Sequence, residues 1–327
     1  MLSRACRSRS SSTVAVYAGL AGDILVAITK IIAAIWTGSA AMASEAIHSI
    51  VDTGNEILLL YGIHRSRRRP DLTHPLGYGR ELYFWSFIVA LLVFALGAGF
   101  SLLEGVQRIL KPAPIQSPII NYVVLGVAFL LEGSSWLVSL RQFGAAKGEH
   151  SYYEAFRRSK DPPSFMTLFE DSAALLSIAV AVLGTFGSVV LRQPVLDGVA
   201  SIVIGLILAG TAALLARETK SLIIGEQAPP ALRRSILDIA NRELHISRAN
   251  GLMTFQLAPE QVVGVISLEF DKRARTGQIQ DQVVVLEQKV QAAHPEILML
   301  FVKPQSVETY QRWQKSYFGS SEPQDDP

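Results

Sequence analysis

The sequence predicts an α-helical membrane protein, a bundle of six transmembrane helices followed by a small cytoplasmic α+β domain. Three observations carry this. Half of the 327 residues are hydrophobic, only 18% are charged, and the mean hydropathy is +0.31. That is too apolar for an ordinary soluble chain and fits membrane spans with a soluble appendage. Lys and Arg fall on one side of the apolar segments, and after Glu218 the texture changes to amphipathic helices and short strands.

Residues 1–13, MLSRACRSRSSST, hold three arginines, many serines and no acid. That composition resembles a mitochondrial presequence. With only 13 residues before the apolar run at Val14, it is read here as a short basic tail. The apolar segments then run Val14–Trp36, Ala40–Ile63, Tyr83–Leu110, Pro118–Leu140, Phe165–Leu191 and Val195–Ala216. Each can supply the roughly 20 helical residues that cross a hydrocarbon core of about 30 Å. Together they define a transport-sized membrane domain over residues 14–216. The second and fifth carry the strongest polar interruptions, so a strict search for uncharged runs is expected to miss both.

Orientation follows from the short loops. Arg4, Arg7 and Arg9 precede the first span; Arg65, Arg67, Arg68, Arg69 and Arg80 follow the second; Arg141, Lys147, Arg157, Arg158 and Lys160 follow the fourth. The opposite loops carry only Lys111 and Arg192. Both termini are therefore expected in the cytoplasm, and the shortness of the leading tail points to a bacterial plasma membrane. Beyond the spans, PPALRRSILDIANREL and DQVVVLEQKVQAAH read as helices, and GLMTFQL, VVGVISLEF and EILMLFVKP read as strands. The order helix–strand–strand–helix–strand suits a layer of helices on one sheet, an α+β (ferredoxin-like) domain over 217–310, with a polar tail over 311–327. The closing SSEPQDDP reads as disordered.

Several classes are excluded. The single cysteine, Cys6, rules out disulfide scaffolds and thiolate metal sites. A net charge of +2 gives no reason to expect nucleic acid as a partner. No nucleotide-binding glycine motif, nucleophile elbow or nucleophile–base arrangement is present, so the chain reads as neither an enzyme nor the carrier of a prosthetic group.

The informative stretch is SEAIHSIVDTGNE in the second span, with Glu45, His48, Asp52 and Glu56. At about 100° per residue, Asp52 and Glu56 fall about 20° to either side of Glu45, and His48 about 60° away. All four share one stripe. A charged side chain facing lipid costs roughly 2.5–3.5 kcal/mol at the centre of a span, so the stripe is expected to face the bundle interior and meet cations there. His48 and Asp52 are one turn apart, a spacing that lets two side chains grip one ion. Imidazole with carboxylate suits zinc, and also cobalt, nickel, iron or manganese. The competing reading is a stripe that only glues helices together by hydrogen bonds.

The fifth span offers further ligands in MTLFEDSAALL. Asp171 lies one turn after Thr167, whereas Glu170 points about 100° away from Asp171. Asp171 is taken as a ligand. Glu170 is either a further ligand or a proton-carrying or supporting group. Asp23, Glu104 and Glu132 in other spans read as packing groups. Asp23 and Lys30, on one face of the first span, are expected to pair, and Asp197 is placed near the exit path.

In SEAIHSIVD, in HPLGYGREL from His74 and in EDSAALL, the chain resembles the cation diffusion facilitator family of metal/proton antiporters, over about Val14 to Pro304. The resemblance implies a transport site of two ligand pairs, matched by His48 and Asp52 on the second span and by Asp171 on the fifth. The position commonly held by His in zinc members is Thr167, which leaves the fourth ligand open between Glu170 and Thr167. The Glu170–Asp171 pairing resembles a branch related to an organellar zinc-transporter type. It also implies a second metal site in some members, of which Asp71 and His74 are present while Tyr78 replaces the remaining His. That loop is read instead as a structural turn in which Arg80 and Glu81 pair. The tail resembles the family's cytoplasmic dimerisation domain without its metal ligands, and His245 and His294 are expected to be isolated at the surface.

The expected function is therefore secondary efflux of a divalent cation, zinc foremost, in exchange for protons, by a homodimer in a lipid bilayer. Metal ligands must be deprotonated to bind, so one residue set serves metal and protons in turn. The alternative is a non-transporting anchor whose cytoplasmic domain senses metal or recruits a partner.

Overall fold

The computed structural model describes residues 23–147 and 151–319. The basic tail, the first part of the first span and SSEPQDDP lie outside them. The chain divides into two compact units, one of 1–69 with 81–220 and one of 70–80 with 221–327.

The first unit is helical. Helix α1 covers residues 23–37, and α2 spans Ala40–Ser66. The third apolar segment is one long helix built from α3 (Glu81–Leu92), a π-helical stretch (Val93–Ala98) and α4 (Gly99–Leu110). Then follow α5 (Pro118–Ala146), the short α6 (Tyr152–Arg158), α7 (Pro162–Val190) and α8 (Val195–Ile224). Among the described residues four helices are long and apolar enough to cross a membrane: Glu81–Leu110, Pro118–Ala145, Pro162–Val190 and Val195–Ile224. The second segment is helical but falls short on composition, as its stripe of ionisable groups predicts. The fifth, expected to be missed as well, is recognised, because beyond Asp171 it runs SAALLSIAVAVLGTFGSVV without a charge.

Two devices lock α8 to its neighbours. Glycines let α4 and α8 touch through their backbones: a Cβ on Gly105 would stand 2.7 Å from the Gly198 carbonyl oxygen, and one on Gly198 would stand 2.8 Å from that of Gly105. Such close approach of small residues is how membrane helices gain packing without a hydrophobic driving force. Polar groups do the rest. The Ser201 hydroxyl donates to the Ser101 carbonyl at 2.7 Å, and the Ser44 and Ser201 hydroxyls meet at 2.6 Å.

Asp197, expected on an exit path, is instead fully buried at the start of α8. It accepts from Ser39 Oγ at 2.6 Å, Ala40 N at 2.5 Å and Ala41 N at 3.4 Å, and Arg108 Nε lies 3.6 Å away. The first amides of a helix have no partner within it, and a carboxylate there is also favoured by the helix dipole. Asp197 thus caps α2 from another helix, alongside Ser39, whose hydroxyl accepts from Met42 N.

The second unit contains α9 (Pro230–Asn241), β1 (Ile246–Ala258), β2 (Gln261–Phe270), α10 (Thr276–Ala293), β3 (Ile297–Pro304) and α11 (Val307–Phe318). Its sheet has the order β1-β2-β3, antiparallel between the first two and parallel between β2 and β3. The parallel pair needs a crossover, and α10 supplies it. Ile236 and Ala240 of α9 and Leu286 and Val290 of α10 are buried with Leu252, Ile266 and Leu300 of the strands in one core. The expected element order is present. Helix α11 is additional and crosses the boundary expected at 310. His294, expected to be isolated, meets Ser235 Oγ through Nε2 at 2.8 Å.

Asp197→Ala strips the acceptors from the start of α2 and leaves buried donors unpaired, at an expected cost of about 1–3 kcal/mol. Thermal unfolding in detergent should show a clear loss, and an unchanged transition would mean that the cap is not structural.

Candidate metal centre

The polar groups of the first unit sort into two sets, one built on a buried ammonium and one lining a cavity, with Glu132 in both. The first set centres on Lys30 of α1, which is fully buried. Its ammonium lies 3.0 Å from Glu45 Oε2 and 2.7 Å from Glu132 Oε1, joining α1, α2 and α5. The expected pairing of Lys30 with Asp23 does not form; the carboxyl groups of Asp23 and Glu56 are instead within hydrogen-bonding reach of each other. Glu45, on the same stripe as His48 and Asp52, is thereby engaged by Lys30.

The second set lines a cavity of about 270 Å³ among α1, α2, α5 and α7. Asp23, Asp52, Glu56, Glu132, Glu170 and Asp171 contribute carboxyl groups to it, and Ser49, Ser135 and Thr167 contribute hydroxyls. Helical periodicity places these groups. On α2 the residues at 49, 52, 56 and 59 recur at helical spacing, and on α7 the residues at 167, 170, 171 and 174 do the same. Two of these carboxylates accept from neighbouring side chains. Asn55 Nδ2 donates to Glu170 Oε1 at 3.0 Å, while Ser135 and Ser139 hydroxyls donate to Asp171 Oδ2 at 3.2 and 3.1 Å. The Thr167 hydroxyl donates to the Pro163 carbonyl of its own helix at 3.0 Å, which leaves its lone pairs as acceptors.

Of the residues expected to hold a metal, Asp52, Glu170 and Asp171 line this cavity, as does Thr167. His48 is not among the lining residues. It is 1% exposed, its Nδ1 lies 3.2 Å from Asp52 Oδ2, and neither ring nitrogen is hydrogen-bonded. Asp52 Oδ1, Glu56 Oε2 and Glu132 Oε2 are likewise buried without a partner. A buried polar atom without a hydrogen bond costs on the order of 1–3 kcal/mol, so several in one neighbourhood are a common sign of a functional site. Among the described residues, no three His, Cys, Asp or Glu side chains stand together closely enough to hold a metal ion. The arrangement is an open, carboxylate-rich chamber, not a closed tetrahedron.

Sequence reasoning placed Asp23 and Glu132 among packing groups. Their signal was present: an ionisable residue inside a span is a functional candidate by default. What spacing could not supply was which helices face each other.

The loop with Asp71 and His74 is a turn. Asp71 Oδ1 accepts from the backbone amides of Thr73 and His74 at 2.9 and 2.7 Å, and Tyr78 Oη donates to Asp71 Oδ2 at 2.6 Å. The His74 ring packs on Tyr78 with centroids 4.4 Å apart. A chain reversal of this kind is what an Asp side chain favours by bonding its own backbone. Glu81, expected to pair with Arg80, instead takes Arg65 Nη2 at 2.7 Å and Trp85 Nε1 at 2.9 Å.

A bundle with four apolar helices of membrane-crossing length around a carboxylate-lined chamber defines a class: an integral membrane protein. The family model described as the cation efflux transmembrane domain matches residues 16–224. The chain therefore belongs to the cation diffusion facilitator family. It is 31% identical over 279 residues to the human "Proton-coupled zinc antiporter SLC30A9, mitochondrial", covering 84% of this chain and 49% of that one. It is 35% identical over 193 residues to "Metal tolerance protein C4" of Arabidopsis thaliana, covering 58% and 42%. It is 23% identical over 246 residues to "Cation-efflux pump FieF" of Escherichia fergusonii, covering 74% and 75%. The chain spans about half the length of the first two relatives.

Donation from Tyr78, and then from the His74 amide, holds the Asp71 carboxyl below its ordinary value of 3.8. A depressed carboxyl stabilises the fold fully above that ordinary value, and the contribution disappears as pH falls below it. Tyr78→Phe should make the loop accessible to limited proteolysis at a higher pH than wild type in a titration from about pH 6 to about pH 3. Identical profiles would remove Tyr78 from the turn.

Proposed function

We propose that this protein exports a divalent transition-metal cation, zinc foremost, across a membrane in exchange for protons. The observation that carries this reading is the cavity lined by Asp52 of α2 and Glu170 and Asp171 of α7, with the buried imidazole of His48, neither nitrogen hydrogen-bonded, beside Asp52. The assigned cargo ligands are His48, Asp52, Asp171 and Glu170, with the Thr167 hydroxyl as the competing fourth donor. Nitrogen with carboxylate oxygen suits zinc and tolerates cobalt, nickel, iron or manganese. The names of the relatives, a zinc antiporter and a cation-efflux pump, agree with that donor set.

In this mechanism the cation enters from the cytoplasm and is gripped by deprotonated side chains. The bundle reorients, and protons arriving from the far side take the same lone pairs and displace the ion. Binding of metal and of protons is mutually exclusive, so exchange follows from competition. Affinity for the metal should accordingly fall as pH is lowered.

The accompanying architecture is six spans over 14–216 with both termini cytoplasmic and a ferredoxin-like domain over 217–310 that joins two copies of the chain. The proposed membrane is a bacterial plasma membrane. Four relatives carry "mitochondrial" in their names, which makes cell fractionation the decisive measurement of location. Asp52→Ala in proteoliposomes with an imposed pH gradient should abolish uptake of Zn²⁺, Co²⁺, Mn²⁺ and Fe²⁺ while leaving the protein folded. Uptake by wild type that ignores the gradient would exclude antiport. No uptake of any ion by folded wild type would favour an anchor whose tail recruits a partner.

A further inference from the structure

Lys30 presents a problem of charge placement. An ammonium with no exposed surface is stable inside a membrane bundle only if carboxylates hold it, and burying such a group is costly even when it is paired. An apolar residue in α1 would avoid the cost. Lys30 is nevertheless bound by two carboxylates, and they differ in what they do. Glu45 is fully buried, is not among the residues lining the cavity, and like Glu132 keeps one oxygen without a hydrogen-bond partner. Glu132 lines the cavity that holds Asp52 and Asp171.

The two oxygens of Glu132 are used unequally. Oε1 takes Lys30 Nζ at 2.7 Å, and Oε2 is buried with no hydrogen-bond partner. The carboxylate is a rigid planar group, so the contact that holds Oε1 on the ammonium also limits where Oε2 can turn. A second, independent set of unused lone pairs lies next to Asp52. His48 is 1% exposed with neither ring nitrogen hydrogen-bonded, and it lies 3.2 Å from Asp52.

Resting on the cation-transport reading above, the geometry points to Glu132 of α5 as a further oxygen donor to the transported cation, with Lys30 of α1 as its positioning residue. The cargo is then gripped from a third helix besides α2 and α7. Lys30 cancels the charge of Glu45 and restrains Glu132 to the cavity wall. One oxygen is fixed as an anchor and the other is available to metal. A carboxylate donor suits harder ions such as Mn²⁺ more than an imidazole does, so Glu132 also widens the range of ions accepted.

The test uses the full chain in detergent with Co²⁺ as a probe whose visible absorption reports its ligands, and in proteoliposomes with Zn²⁺ and Mn²⁺. Glu132→Gln keeps the shape and an acceptor for Lys30. It should weaken Co²⁺ binding roughly tenfold or more, change the absorption bands, and depress Mn²⁺ uptake more than Zn²⁺ uptake. Lys30→Arg should preserve both the bands and the Mn²⁺ to Zn²⁺ ratio, whereas Lys30→Met should reproduce Glu132→Gln. If Lys30→Met does not fold, Lys30→Arg and Glu132→Gln decide the matter. Glu132→Gln with wild-type affinity, spectrum and ion ratio overturns the assignment, as does equal loss for both ions with an unchanged spectrum. Asp52→Ala separates the two claims. If it abolishes Co²⁺ binding while Glu132→Gln has no effect, only the present inference fails; if it too binds normally, the transport reading fails with it.

Discussion

The constraint on which the membrane unit depends is the cost of a charge removed from water. Each ionisable group inside the bundle must be paired, hydrogen-bonded or set beside a space that a cation can enter. Lys30 is the clearest case. Its two carboxylate partners come from α2 and α5, so one buried ammonium fixes three helices relative to one another. Packing of apolar side chains alone has no such directional preference in lipid, where hydrocarbon surrounds the helices as well as lying between them.

The same constraint divides the acids by role. Asp197 is satisfied completely, by a hydroxyl, two amides and an arginine, and acts as the cap that holds the start of α2 to α8. Glu45 is consumed by Lys30 on one oxygen. The acids of the cavity are different: Glu170 accepts from Asn55 and Asp171 from Ser135 and Ser139, while Asp52 Oδ1, Glu56 Oε2 and Glu132 Oε2 are buried and unpaired. Groups that complete their bonding within the protein hold the fold together.

The second unit follows simpler rules. Apolar residues of β1, β2 and β3 and the apolar faces of α9 and α10 bury one continuous core. The segment 70–80 belongs to this unit, and its Asp71 spends its oxygens on the turn. A carboxylate that accepts two amides and a phenol has little left to offer a metal, which separates it physically from the acids of the cavity.

Period and hydropathy made the helices, the order of the α+β elements and the stripe of Glu45, His48, Asp52 and Glu56 legible in the sequence, because those properties are local to each segment. They also singled out Thr167, Glu170 and Asp171, because a helix that buries charge announces it. Partner choice was not legible. Lys30 was expected to meet Asp23 seven residues before it and meets Glu132 more than a hundred residues away; Asp197 was expected beside a path and caps a helix; Glu81 was expected to join Arg80 and joins Arg65. The sequence by itself determined which faces are polar. Only tertiary packing decided which polar faces meet, since the energy of an ion pair or a cap depends on distances across helices that no spacing along one chain segment encodes.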